Sequence, residues 1–251
     1  GLGDVYKRQL LYVDRVMNKT IWMCWFLGED HPSIPKLNRE CIKRWKQLNT
    51  DWQINVLSDE TIKNYVPEYF EIINNSPNRM IQHNSDLLRL LLLSKYGGVW
   101  VDSSVYPMQP LSFFYNQIVN ETDFFTYRFI PRSCQKDGDR ETVVWFLCTN
   151  NPNNYLIEQW KKQLIKKFQA NCVWKYFTMA ETLCELYDSD KRVNFIINNM
   201  VQINYTFEER FAGGPGLVHG GILAAAIDDL MGYATVIHNH MCVTCLLYTS
   251  P

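Results

Sequence analysis

Apolar residues along this chain follow two alternating periods, and the alternation predicts its elements. Lys19 to Trp25 is rich in Ile, Met and aromatics and closes on Gly28, which predicts a buried first strand feeding a loop. Pro32 and Pro35 then introduce a helix in which Leu37, Cys41, Trp45 and Leu48 share one face, while Arg39, Lys43 and Lys46 turn away as a solvated face. Trp52 to Leu57 alternates apolar with polar residues as a short second strand. Ser58 can cap a helix beginning near Asp59. Strand, helix, strand, helix predicts an α/β layer with a largely parallel sheet, whose ligands sit beyond the carboxyl ends of the strands.

Asn84-Ser85 offers the N-cap of a helical run from Asp86 to Tyr96, which Gly97-Gly98 stops and whose last turn carries Lys95. A strand from Val99 to Val101 follows and delivers Asp102 at its carboxyl end. Further strands are expected at Phe124 to Arg128 and Thr142 to Cys148, and helices at Asn153 to Phe168 and Ala180 to Tyr187. The longest apolar stretch, Leu87 to Leu93, is interrupted by Arg89 and is far shorter than the roughly 20 residues that cross a bilayer. It predicts a buried helix and no transmembrane segment.

Composition narrows the class without naming it. A chain of 251 residues has room for one large or two small domains with a real core. A net charge of -1 gives no long-range attraction to nucleic acid or anionic lipid, so neither is an expected partner. The 8 cysteines are scattered without a secreted-framework spacing, which predicts reduced thiols and a cytoplasmic setting.

Chemistry concentrates at Asp86, Arg89 and Asp102. A helix sets Asp86 and Arg89 three apart on one face, and the double glycine lets the chain reverse so that Asp102 returns to the same region. Two carboxylates and a guanidinium in one cleft suit a polyhydroxylated, diphosphate-bearing ligand: Arg and Asp for hydroxyls, a carboxylate for a divalent cation. The same spacing also suits a helix-capping ion pair beside a turn aspartate. Spacing alone favours the ion pair.

The text around these residues adds a resemblance. Residues 85–104, SDLLRLLLLSKYGGVWVDSS, resemble the signature of GT-A-fold sugar transferases, S/A-D-x-x-R followed by L-x-x-x-G-G-x-x-x-D. Ile21 to Trp25 with Gly28, the helix through Cys41 and Trp45, Val56 to Asp59, and Pro107 to Leu111 resemble the capsular-polysaccharide-synthesis branch of those enzymes. The likeness is strongest from Thr20 to about Leu111. It implies an incomplete GT-A domain, nucleotide-diphospho-sugar transferase and Rossmann-like, over residues 10–203. The implied activity is metal-dependent transfer of a hexosyl group, with retention of anomeric configuration, from a nucleotide sugar (a UDP-sugar first) to a glycan or lipid-linked acceptor. Capsular or surface polysaccharide synthesis at the inner face of the membrane is the implied setting.

Site roles follow from the same resemblance. Asp102 would ligate Mn²⁺ or Mg²⁺ bridging the donor diphosphate, and Asp86 and Arg89 would hold the donor sugar. Trp25 is a candidate to stack on the base, with plain sheet core as its other reading. Asp59 is a candidate for base or ribose contact, and helix capping explains it equally well. The family's wider pattern is Asp-x-Asp, but its third position here is Ser104, so one negative charge is missing. Ser104 could still ligate the metal directly or through water.

A second signature lies at residues 213–234, GGPGLVHGGILAAAIDDLMGYA, which resemble hotdog-fold acyl-CoA thioesterases. There the loop His219-Gly220-Gly221 would open a helix reaching about Tyr233 and polarise a thioester carbonyl, and Asp228 would activate water. A Gly-rich loop before an Ala-rich core helix is the plainer reading. Residues 1–9 and 245–251 resemble a translated sequencing adapter and its reverse complement. The expected organisation is therefore adapter at 1–9, transferase at 10–203, thioesterase-like fragment at 204–244 and adapter at 245–251. Besides the transferase, two alternatives stand: an acyl-CoA thioesterase, and an inactive sugar-nucleotide-binding remnant of a chimeric assembly. A chimera of two unrelated reads is the simplest account of the two signatures, and a natural fusion is the alternative.

Overall fold

The computed structural model describes residues 18–76, 79–107, 109–113, 115, 122–128, 142–170, 174–200, 212–214 and 217–218. Its main sheet is built from β1 (Thr20–Cys24), β2 (Gln53–Leu57), β3 (Gly98–Val101), β4 (Phe125–Arg128) and β5 (Thr142–Thr149), in the order β2-β1-β3-β5-β4. β1 runs parallel to β2 and β3, whereas β5 is antiparallel to both β3 and β4. The sheet is thus mixed rather than largely parallel. Helical crossovers join β1 to β2 and β2 to β3, which parallel pairing requires, and no such constraint acts on β5, which comes back beside β3 in reverse.

Alternation along the strands divides the core in two. Ile21, Met23, Val99, Val101, Phe146 and Cys148 face one layer, where they meet Ile42 and Trp45 of α1 (Lys36–Leu48). Trp22, Leu57, Trp100 and Leu147 face the other. That second layer holds α2 (Asp59–Ile62), α3 (Glu68–Asn74), α4 (Ile81–Tyr96), α5 (Tyr155–Gln169), α6 (Thr178–Ser189) and α7 (Lys191–Asn198). The stretch Leu87 to Leu93 is buried on all sides because α4 lies between the sheet and the outer helices α3, α5 and α6. An apolar circumference is what such a position demands. Among the described residues, no helix is long and apolar enough to cross a membrane.

Several expectations shift. α4 begins at Ile81, not at Asp86, because the His83 ring accepts the Met80 backbone N–H at 3.1 Å and caps the helix earlier. Asn84 and Ser85 therefore lie inside it. His83 is fixed in turn by Lys175 O at 2.8 Å and by Trp174, whose ring centroid is 4.5 Å away. Leu37 is 47% exposed, since α1 turns Ile42 rather than Leu37 toward the sheet. The pattern did not announce α3 or α7, although Asp190 is an ordinary N-cap, accepting the N–H groups of Arg192 and Val193.

Gly97 and Gly98 close α4 with φ of 69° and 93°. Gly98 has a further reason to be glycine: a Cβ there would lie 2.5 Å from Thr20 O on the neighbouring strand. The Gly97 carbonyl meanwhile accepts the Trp22 indole N–H at 2.9 Å. Together these contacts set where β3 starts, and therefore where it ends. Beyond the main sheet, Ala212–Gly214 and Leu217–Val218 form a two-stranded antiparallel ribbon, β6 and β7. The thioesterase-like His219, Gly220, Gly221 and Asp228, their expected helix, and both adapter-like ends lie outside the described residues.

Candidate active site

β1, β2 and β3 are parallel, so their carboxyl ends converge on one edge of the sheet, and the candidate residues gather there. The loops after β1 and β2 are tied together: Trp25 N–H donates to Leu57 O, and Asp59 N–H donates to Phe26 O, each at 2.9 Å. At the end of β3, the Asp102 N–H donates to Trp145 O of β5, and the Val105 N–H returns to Asp102 O in a turn. This fixes the backbone that carries the Asp102 carboxylate.

Asp86, Arg89 and Asp102 do come together. Arg89 Nη2 stands 3.2 Å from Asp86 Oδ1 and 3.5 Å from Asp102 Oδ1. Arg89 also donates to Ser85 O at 3.2 Å, to Ser85 Oγ at 3.0 Å and to Val144 O, and its guanidinium lies 5.1 Å from the Trp100 ring centroid. The ion pair is therefore not a helix cap. It sits within α4, with side-chain exposures of only 4% for Arg89 and 7% for Asp86, whereas the Asp102 side chain is 33% exposed. Of the three, Asp102 is the group open to a ligand.

The electrostatics follow from this burial. Desolvation pushes the Asp86 carboxyl up to about 6 from its ordinary 3.8; Arg89 opposes the rise and Asp102 adds to it. Cys24, at the end of β1, has its thiol raised well above the usual range by burial, with Asp59 and Asp102 adding and Arg89 opposing. That thiol thus reports that the ends of all three parallel strands share one electrostatic neighbourhood. Burial also raises Asp59. Asp59 is not the cap of α2, because Ser58 and Thr61 perform that task, with the Ser58 N–H donating to Thr61 Oγ1 at 2.8 Å.

Trp25 is half-buried against the β1 and α1 side of the core, and its indole Nε1 is enclosed without a hydrogen-bond partner. Ser104 follows Asp102 in the turn, where its carbonyl accepts the Cys41 thiol at 3.4 Å. Sequence reasoning passed over Trp100, whose indole N–H donates to Asp102 Oδ1 at 2.8 Å. The signal was available, since residues two apart on a strand share a face. It also missed Tyr69, wholly buried with an unpartnered hydroxyl and with Cys24 and Asp59 as electrostatic neighbours.

Among the described residues, no three His, Cys, Asp or Glu side chains are grouped to hold a metal ion. Asp102 is a single carboxylate with Oδ1 already engaged. Such a donor set does not suit a cation caged by protein. It does suit one held mainly by a ligand's phosphates and water and joined to the chain through one carboxylate, as Mg²⁺ commonly is.

The chain is thus a layered α/β protein with acidic groups at the carboxyl ends of its parallel strands, the edge where open α/β sheets bind their ligands. Residues 8–210 match the family described as capsular polysaccharide synthesis protein, and the chain belongs to that family. Among curated proteins it is 31% identical over 99 residues to the O-glycosyltransferase braB of Annulohypoxylon truncatum, covering 36% of this chain and 23% of that one. It is 27% identical over 100 residues to the initiation-specific alpha-1,6-mannosyltransferase of Candida albicans, covering 37% and 26%. The matched stretch thus spans about a quarter of these relatives. A solved structure named PaToxG Glycosyltransferase aligns at 14% identity with a TM-score of 0.47, over 78% of this chain and 80% of that one.

Proposed function

We propose that this chain is the donor-binding part of a glycosyltransferase, moving a sugar from a nucleoside-diphosphate sugar to a glycan or lipid-linked acceptor in surface-polysaccharide synthesis. One observation carries the reading: a partly exposed carboxylate, Asp102, stands at the end of a parallel strand with Arg89 and Trp100 both fixed on its Oδ1. Family membership and the likeness to an O-glycosyltransferase and a mannosyltransferase support the same class. The sequence resemblance implies a retaining enzyme of GT-A type.

In this reading Asp102 would hold Mn²⁺ or Mg²⁺, with Ser104 in place of a second carboxylate as a neutral donor, directly or through water. When bound, the cation would supply charge neutralisation for the departing nucleotide. Arg89 holds the Asp102 carboxylate in place and offsets its charge and that of Asp86. The enclosure of Asp86 and Arg89 favours this positioning role over broad contact with the donor sugar. Trp25 offers an indole face to the base, and Asp59 reaches ribose or base from the end of β2.

The experiment is a paired assay: hydrolysis and transfer from UDP-hexoses and a mannosyl nucleotide with Mn²⁺ or Mg²⁺, beside acyl-CoA hydrolysis. Sugar-nucleotide turnover supports the proposal. Acyl-CoA turnover alone would favour the thioesterase reading, and nucleotide-sugar binding without turnover would favour the remnant.

A further inference from the structure

The loop that follows Asp102 is fastened by one helix, residue by residue. Asn38 Nδ2 of α1 donates to Ser103 Oγ at 3.1 Å, and Cys41 Sγ donates to Ser104 O at 3.4 Å. Trp45 Nε1 donates to Val105 O at 2.8 Å, and Asn49, the C-cap of α1, accepts the Leu111 N–H on Oδ1 at 2.6 Å. Positions 38, 41, 45 and 49 advance by three or four, so they lie on one face of the helix. Successive turns of that face therefore meet successive points of the loop.

Burial adds weight to these bonds. Trp45, Val105 and Leu111 are 0% exposed, and Ser103 is 8% exposed. Where a loop is buried, its backbone polar groups need protein partners, because water cannot reach them. Here α1 supplies them for the carbonyls of Ser104 and Val105 and for the N–H of Leu111.

We infer that this face of α1 is the template that holds the 102–111 loop in the shape presenting Asp102 and Ser104 to the ligand, and that Trp45 is its principal positioning residue. The inference rests on the reading of Asp102 as the donor-facing carboxylate. Trp45 contributes the shortest of the three side-chain donations to the loop, from the centre of the face. Its ring packs in the core, while its single N–H is spent on the loop.

A nearby tryptophan supplies the control. Trp52 belongs to the same core cluster and is 6% exposed, but its indole N–H is buried with no hydrogen-bond partner. Replacing either tryptophan with phenylalanine removes similar packing from one cluster. Only Trp45→Phe removes a bond to the loop.

The first readout is amide hydrogen exchange of the free protein across residues 99–111, followed by mass spectrometry. Trp45→Phe should raise exchange there by about tenfold, with Trp52→Phe near wild type. Asn38→Ala, at a partly exposed position, should give a smaller rise in the same segment and guards against Trp45→Phe failing to fold. The second readout is donor affinity with Mn²⁺, which should weaken about 10- to 100-fold in Trp45→Phe, the range for supporting groups around a metal ligand. Equal exchange in the two phenylalanine variants, or unchanged exchange in both Trp45→Phe and Asn38→Ala, overturns the inference. Wild-type protein that fails to bind any donor overturns the functional reading instead, and exchange still decides the loop's dependence on α1.

Discussion

Trp100 and Asp102 are joined by an indole N–H donated to Oδ1 at 2.8 Å, at the carboxyl end of β3. Arg89 approaches the same oxygen, so Asp102 is held from two directions. The bond has a defined cost if lost. Trp100→Phe should weaken metal-dependent donor binding about tenfold, as removing a supporting hydrogen bond does around other metal ligands. Titration of the folded variant with nucleotide sugar and Mn²⁺ checks this, and affinity equal to wild type would show that the indole only packs.

Asp86 predicts a pH signature. Burial raises its folded value to about 6 from 3.8, so between those values the native state holds a proton that the unfolded chain has released. Its contribution to stability is full below about 3.8 and declines as pH rises through about 6. The stability advantage of wild type over Asp86→Asn should therefore shrink by roughly 2 kcal/mol between pH 4 and pH 7. Urea unfolding of both proteins across that range measures the difference. A difference that is flat, or that grows with pH, contradicts the assignment.

Gly98 tests the start of β3. An alanine there would combine a φ of 93° with a Cβ 2.5 Å from Thr20 O, so the β1 and β3 pairing must give way. Gly98→Ala should cost several kcal/mol, on the order of 3 or more, and Gly97→Ala, with its nearest contact 3.1 Å away, roughly 1–2. Thermal and chemical unfolding rank the two. The reverse order would displace the close approach to Thr20 as the reason for glycine.

The thiols of Cys24, Cys41 and Cys148 should be unreactive in the folded protein. Burial pushes Cys41 up to about 12 and holds Cys24 and Cys148 well above the ordinary range. At pH 8 the thiolate fraction of Cys41 falls by about a thousandfold, and its labelling by a disulfide reagent should slow to match. Site-resolved mass spectrometry before and after urea unfolding reads this directly. Rapid native labelling of Cys24 or Cys41 would mean that the strand-end region opens.

Much of this architecture was legible because its signals are local. The period of Cys41 and Trp45, the alternation of Gln53 to Leu57 and the Gly97-Gly98 stop each depend on neighbours a few residues away. Asp86, Arg89 and Asp102 were legible as a group because one helix and one tight turn join them. What escaped depends on distant partners. The reversal of β5 beside β3 has no marker in Thr142 to Thr149, and the early start of α4 rests on His83, whose ring is held by Lys175 and Trp174 far along the chain. The contacts of α1 with the 103–111 loop were invisible for the same reason. Its basic face stood out in the sequence, while the contacts with the loop lie on another face, where Cys41 and Trp45 read as core.

The most direct test of the central claim is calorimetric titration of UDP-sugars and a mannosyl nucleotide into wild type and Asp102→Asn, each with Mn²⁺ and with chelator. The account predicts that wild type binds a donor only with the cation, that the cation alone binds weakly because the described residues build no cage for it, and that Asp102→Asn loses the cation-dependent binding. Cation-dependent donor binding that survives unchanged in Asp102→Asn would contradict it.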